Sequence, residues 1–204
     1  MITIVDYGIG NLGSIRNMLK KIGFDSQISD RPEIIKDASK LIMPGVGAFD
    51  AGMRQLNASG LVPYLEEKVL QEKTPVLGIC LGMQLLTRRS EEGTSPGLGW
   101  IDAEVKRFLP PPGSKLKVPH MGWNIAKPAK VTGMTANVES EERYYFVHSY
   151  YVHCQNREDV LLSGEYGQVF DAAFERGNII GVQFHPEKSH KFGMRLLRNF
   201  CEGY

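Results

Sequence analysis

From Met1 to about Ser90, short apolar runs alternate with segments whose apolar residues recur at helical spacing, the pattern of βαβ units around a parallel sheet. Ile2–Asp6 predicts a strand. Ile15, Met18, Leu19 and Ile22 fall on one helical face and predict an amphipathic helix between a Ser14 cap and a terminating Gly23. Phe24–Ile28 and Lys40–Met43 predict two more strands, with Pro32 opening a short helix between them. Phe49, Met53 and Leu56, then Leu61, Leu65 and Val69, form two further helical stripes. Val76–Ile79 is apolar on both faces, as an interior strand must be, and a helix from Met83 to Arg89 is expected after it.

Beyond Ser90 the pattern changes to short β-rich pieces at Lys115–Pro119, Tyr144–His153 and Ala172–Glu175, which predict antiparallel strands. Arg176-Gly177-Asn178 reads as a hairpin connection into Ile179–Phe184, and Leu196, Leu197, Phe200 and Cys201 mark a closing helix. The expected fold is one three-layer α/β domain over residues 1–204, flavodoxin-like, with a mainly parallel central sheet and an antiparallel portion in its C-terminal half. No internal repeat or linker-like stretch divides it.

Composition narrows the function classes. Lys and Arg number 24 against 23 Asp and Glu, so the net charge of +1 supplies no basic footprint for nucleic acid. The longest apolar-plus-glycine run, Val76–Met83, falls short of the ~18 residues of a membrane span. The first residues lack a basic leader region, and a cytoplasmic location is expected. Cys80, Cys154 and Cys201 form no even disulfide framework, and His120, His148, His153 and His190 show no ligand spacing, so neither a metal nor a cofactor is assigned.

The sharpest chemical signal is Gly78-Ile79-Cys80-Leu81-Gly82, a G-x-C-x-G pattern where an apolar strand turns into a helix. It is the thiol counterpart of a nucleophile elbow, in which a strained turn between small residues presents the nucleophile at the end of the sheet. A buried structural cysteine between packing glycines is the competing reading. A thiol nucleophile needs a base, and the base needs an orienting acid. His185 and Glu187, two apart after a strand and joined through Pro186, share one face of an extended chain and suit those roles. Pro44-Gly45-Val46-Gly47 also follows a strand and offers either backbone N–H groups for an oxyanion or a plain turn. Gly8-Ile9-Gly10-Asn11-Leu12-Gly13, with Asp30 downstream, formally matches a dinucleotide fingerprint, but Asn11 and Ser14 can equally cap a helix.

Together, Gly78–Gln84 and Phe184–Glu187 resemble the class I glutamine amidotransferases. Val5–Asn11, Pro44–Gly47, Pro119–Asn124, Phe146–Tyr150 and His185–Ser189 are similar to the branch of that family that serves imidazole glycerol phosphate synthases. The resemblance implies that Cys80 attacks the amide of L-glutamine, His185 carries the proton to ammonia, and Glu187 orients His185. It implies an oxyanion site at Leu81 and the Gly45-Val46 strand, with Gly47, Gln84, Glu92, Ser149 and Tyr150 around the substrate. It further implies a heterodimer with a (β/α)8-barrel cyclase that uses the ammonia to make imidazole glycerol phosphate and an aminoimidazole ribonucleotide in histidine biosynthesis. The docking face would include Asn11, Met121, Trp123, Asn124, Tyr145 and Lys188. Ser189–Met194 is closer to paralogues that feed sugar-amidating synthases of surface polysaccharides, which leaves that pathway as an alternative.

Overall fold

A computed structural model describes residues 1–138 and 142–204. Its first half runs β1 (Ile2–Val5), α1 (Leu12–Lys21), β2 (Ser26–Ser29), α2 (Pro32–Lys36), β3 (Lys40–Gly45), α3 (Phe49–Ala58), α4 (Val62–Glu66), β4 (Val76–Cys80) and α5 (Leu81–Leu85). There follow β5 (Arg89–Ser90), β6 (Ala103–Arg107), β7 (His120–Pro128), β8 (Arg143–His148), β9 (Tyr150–Cys154), β10 (Val160–Glu165), β11 (Val169–Arg176), β12 (Ile179–Val182) and α6 (His190–Gly203).

The main sheet has the order β2-β1-β3-β4-β12-β11-β10-β7-β8, parallel from β2 through β12 and antiparallel beyond. Its parallel half is the doubly wound order in which ligands bind at the carboxyl ends of the strands. Strand β12 arrives last and inserts beside β4, with Gly181 opposite Gly78 and Val182 opposite Ile79. That pairing brings residues far apart in sequence to one edge of the sheet.

Two apolar layers enclose the sheet. On one face Ile15 and Leu19 of α1 meet Leu196, Leu197 and Phe200 of α6. On the other, Ile35 of α2, Phe49, Met53 and Leu56 of α3, Leu65 of α4 and Leu85 of α5 pack together. The three-layer α/β arrangement expected from the apolar pattern is therefore the one observed, and its core is buried as the helical stripes require.

Local expectations needed correction in five places. The strand expected over Ile179–Phe184 ends at Val182. Helix α1 begins at Leu12, so Ser14 lies inside it, and Asn11 occupies the cap position without a side-chain cap bond. The second strand covers Ser26–Ser29 rather than Phe24–Ile28. The helix placed over Met83–Arg89 instead spans Leu81–Leu85, since the chain leaves it at once for β5 and Arg88 N donates to Ala103 O. Lys115–Pro119 is not a strand: Pro119 has no N–H to give a ladder, Lys117 N donates to the Tyr166 hydroxyl, and pairing begins at His120.

Candidate active site

Cys80 closes β4 at φ 55 and ψ −112, a left-handed backbone that a non-glycine residue adopts only when its surroundings hold it there. Those surroundings explain the flanking glycines. A Cβ on Gly82 would lie 1.8 Å from the Met43 carbonyl oxygen, and one on Gly78 would lie 2.8 Å from the backbone of Gly82 and Met83. Gly45 is equally confined, 2.8 Å from Gly82 N and 2.9 Å from the Tyr7 hydroxyl by the same measure. The elbow is thus a close backbone crossing between β3, β4 and α5, and only glycine fits it.

The candidate base comes from the segment after β12. His185 and Glu187 are both buried, and His185 Nδ1 lies 2.8 Å from Glu187 Oε1. The other ring nitrogen, Nε2, has no hydrogen-bond partner among the described residues. Burial works against a charged ring, but the Cys80 thiol and the Glu187 carboxylate overcome it and hold His185 up to about 9. The main chain fixes the ring further: His185 N donates to Tyr145 O, and the Ser189 hydroxyl donates to His185 O. Sulfur and imidazole line one cavity, and the carboxylate on the far side of the ring is placed to stabilise an imidazolium.

A cavity of about 340 Å³ opens over the sulfur, lined by Val46, Gly47, Cys80, Leu81, Gln84, Glu92, Ser149, Tyr150 and His185. The residues the resemblance placed around glutamine are among them except Gly45, which packs against the elbow, and Pro119, Val147 and His148 complete the lining. Glu92 Oε2 accepts from Phe49 N at 2.9 Å, which fixes the carboxylate at the rim. A larger cavity of about 600 Å³ contains no triad residue.

Of the residues expected on a docking face, Asn11 and Lys188 are exposed, as are Met121 and Trp123 at 62% and 47%, while Asn124 and Tyr145 are half-buried. Trp123 packs edge-on against Tyr145 at 6.1 Å, and Lys188 lies 5.9 Å over the Tyr145 ring. The glycine-rich stretch after β1 serves the elbow's neighbourhood, since a Cβ on Gly10 would be 3.1 Å from Pro44. The hollow beside Gly8 is lined by Asp6 and Asp30, like-charged with a pyrophosphate.

Sequence reasoning missed three polar residues at the site. Gln183 Nε2 is 3.9 Å from Cys80 Sγ, and His148 lines the cavity with His120 bonded behind it. The sequence placed Gln183 on a strand running to Phe184, but β12 ends at Val182, and nothing in the sequence says that β12 pairs with β4.

A model of the family described as glutamine amidotransferase class-I matches residues 3–203. Over 202 residues and 99% of each chain, the sequence is 54% identical to a Methanococcus maripaludis protein named imidazole glycerol phosphate synthase subunit HisH 2. A Pseudomonas aeruginosa protein of the same name is 53% identical over 99% of each chain. Imidazole glycerol phosphate synthase subunit HisH of Bdellovibrio bacteriovorus is 47% identical over 99% of this chain and all of its own. Among solved structures, PurLQS from Thermotoga maritima superposes with a TM-score of 0.73 at 19% identity, covering 98% of this chain and 96% of that one. A glutamine amidotransferase from Thermotoga maritima gives 0.66 at 18%, covering 98% and 82%. At such identity these structures speak for the fold alone. The elbow, the triad pairing and the end-to-end match agree: the chain belongs to the class-I glutamine amidotransferase family.

Proposed function

We propose that this chain is the glutaminase subunit of an imidazole glycerol phosphate synthase, hydrolysing L-glutamine and passing the ammonia to a (β/α)8-barrel partner in histidine biosynthesis. The observation that carries the chemistry is the strained Cys80 sharing one cavity with His185, whose second nitrogen is held by Glu187. The pathway rests on relatives named for that synthase at 47–54% identity over 99% of this chain.

In this reading the proton shared by Cys80 and His185 rests on the imidazole, in keeping with the ring's raised value, and the sulfur attacks the amide carbon as a thiolate, the competent nucleophile. Backbone N–H groups of Leu81 and the Val46-Gly47 segment receive the oxyanion, and Glu92 faces the substrate's α-ammonium. The imidazolium then protonates the leaving nitrogen, the C–N bond breaks, and ammonia departs from a glutamyl thioester. His185 next takes a proton from water, hydroxide adds to the thioester, and glutamate leaves as the sulfur regains its proton. Ammonia released into bulk water would be protonated and lost as a nucleophile, so it must pass directly to the partner. Met121, Trp123, Tyr145 and Lys188, with Asn11 and Asn124, supply the surface for that contact.

Ser189–Met194, the segment that suggested a sugar-amidating branch, opens α6 and places His190 against Trp123 at 5.4 Å. Its departure therefore falls beside the docking face rather than in the glutamine pocket. The relatives' names favour the histidine branch over that alternative.

Copurification from the native source tests the assignment. A barrel subunit should accompany the chain, and the complex should make imidazole glycerol phosphate from glutamine. In Cys80→Ala, glutamine-dependent synthesis should vanish while ammonia-dependent synthesis persists. Glutamine hydrolysis surviving that substitution would overturn the reading.

A further inference from the structure

The catalytic cavity and the larger cavity share a wall that two histidines cross. His120 lines the larger cavity together with Met121, Trp123 and Asn124, whereas His148 lines the catalytic one. They face each other across the β7–β8 pair, and His120 Nδ1 lies 2.9 Å from His148 Nε2.

Every proton in this contact is fixed by a backbone carbonyl, which can only accept. His148 Nδ1 lies 2.7 Å from Tyr150 O, so that nitrogen carries the hydrogen and Nε2 presents a lone pair. His120 Nδ1 must then donate, which leaves its Nε2 as an acceptor for Asn124 Nδ2 at 3.2 Å. The second Asn124 hydrogen goes to Glu165 O at 2.8 Å. The series continues toward the sulfur, because Tyr150 O also accepts from Gln84 Nε2 at 3.4 Å. Gln84 gives its other hydrogen to Gln183 Oε1 at 3.0 Å, and that orientation turns Gln183 Nε2 toward Cys80 Sγ at 3.9 Å.

We propose that Asn124, His120, His148, Gln84 and Gln183 form a positioning relay through which docking of the barrel partner on β7 reorients the groups around Cys80. It rests on the glutaminase-subunit reading and deepens it. The relay has no slack: both ends of its outer half are pinned on carbonyls, and the histidines and glutamines are buried. Shifting Asn124 strands the buried His120 Nε2 without a donor, a penalty relieved only if the rest of the series follows. Asn124 stands one residue from the exposed Trp123 and three from Met121, so pressure on that face reaches it directly. Burial disfavours protonation of both rings, which keeps the donor–acceptor order intact.

The test uses the chain with and without the barrel subunit that copurifies with it. His120→Phe keeps the ring volume and removes both hydrogen bonds. The stimulation of glutaminase kcat by the partner should fall about ten-fold, within the range of ordinary site-to-site coupling, while sedimentation shows the complex still forming. Gln183→Leu should lower the same stimulation, and the double variant should lose no more than the worse single one, since a broken series cannot be broken twice. Multiplying losses would mark two independent packing defects and overturn the relay. In the wild-type chain, nitrogen-15 spectra should show His120 and His148 as Nδ1–H tautomers whose Nε2 resonances shift on adding partner. Unmoved resonances would overturn it even if both variants failed to fold. Undiminished stimulation in His120→Phe defeats the relay alone, whereas a wild-type chain indifferent to its partner defeats the glutaminase-subunit reading as well.

Discussion

Glu187 Oε1 sits 2.8 Å from His185 Nδ1 with only Pro186 between the two residues. Pro186 begins a single 3-10 turn over Pro186–Lys188, so the proposed base and orienting acid come preassembled on one short segment. That acid should therefore be the most sensitive position after the nucleophile. Glu187→Gln preserves shape and removes the charge that stabilises the imidazolium. Glutaminase kcat in the assembled complex is expected to drop by about 10²- to 10⁴-fold with KM little changed, the scale of a general acid–base contribution. A loss below five-fold would show that Glu187 is not the orienting group.

The elevated His185 sets the alkaline behaviour. With its folded value up to about 9 and its unfolded value near 6.5, this group's stabilisation is complete below 6.5 and is lost as pH rises through 9. Activity should fall over the same alkaline limb, because the proposed mechanism needs the imidazolium to protonate departing ammonia. An NMR titration of the His185 ring in the isolated chain checks the value. A midpoint near 6.5 would contradict the geometry.

Acid has the opposite effect through the other pair. Burial pushes His120 down to about 4 and His148 down to about 3, so the unfolded chain binds protons that the folded chain refuses. Their neutral-form stability is present above 6.5 and is lost progressively as pH falls toward 4 and then 3. Each such histidine steepens the decline by up to about 1.4 kcal/mol per pH unit. Equilibrium unfolding between pH 6 and 4.5 should show a shallower slope in His120→Phe than in the wild type; equal slopes would refute this.

Two alanine substitutions separate close backbone approach from mere glycine content. Gly82→Ala forces a Cβ to 1.8 Å from Met43 O, where backbone must move, and should cost about 3 kcal/mol or more along with activity. Gly13→Ala lies within α1 with nothing inside 4 Å, and should stabilise by about 0.5–1 kcal/mol through lost unfolded-state freedom. Urea unfolding of both variants provides the comparison.

The parallel half of the fold was legible because its strands are continuous apolar runs and its helices carry clean stripes, as at Val76–Ile79 and at Ile15 and Leu19. The strained turn at Cys80 and the contact of His185 with Glu187 were legible because tight turns and closely spaced partners leave marks on adjacent residues. His120 opposite His148 was not, since cross-strand register is a tertiary property that neither histidine's neighbours encode. The shortened α5 was missed for a related reason: the β5–β6 pairing, a long-range contact, ends the helix before its local propensity does.

The lateral insertion of β12 beside β4 has a consequence for synthesis in the cell. A nascent polypeptide that has emerged only through the elbow carries its thiol with neither imidazole nor carboxylate, and the seam between the two halves of the sheet stands open. Under the proposed mechanism, turnover of glutamine waits for the segment that follows the last strand, and partially translated copies squander none of the cell's nitrogen donor.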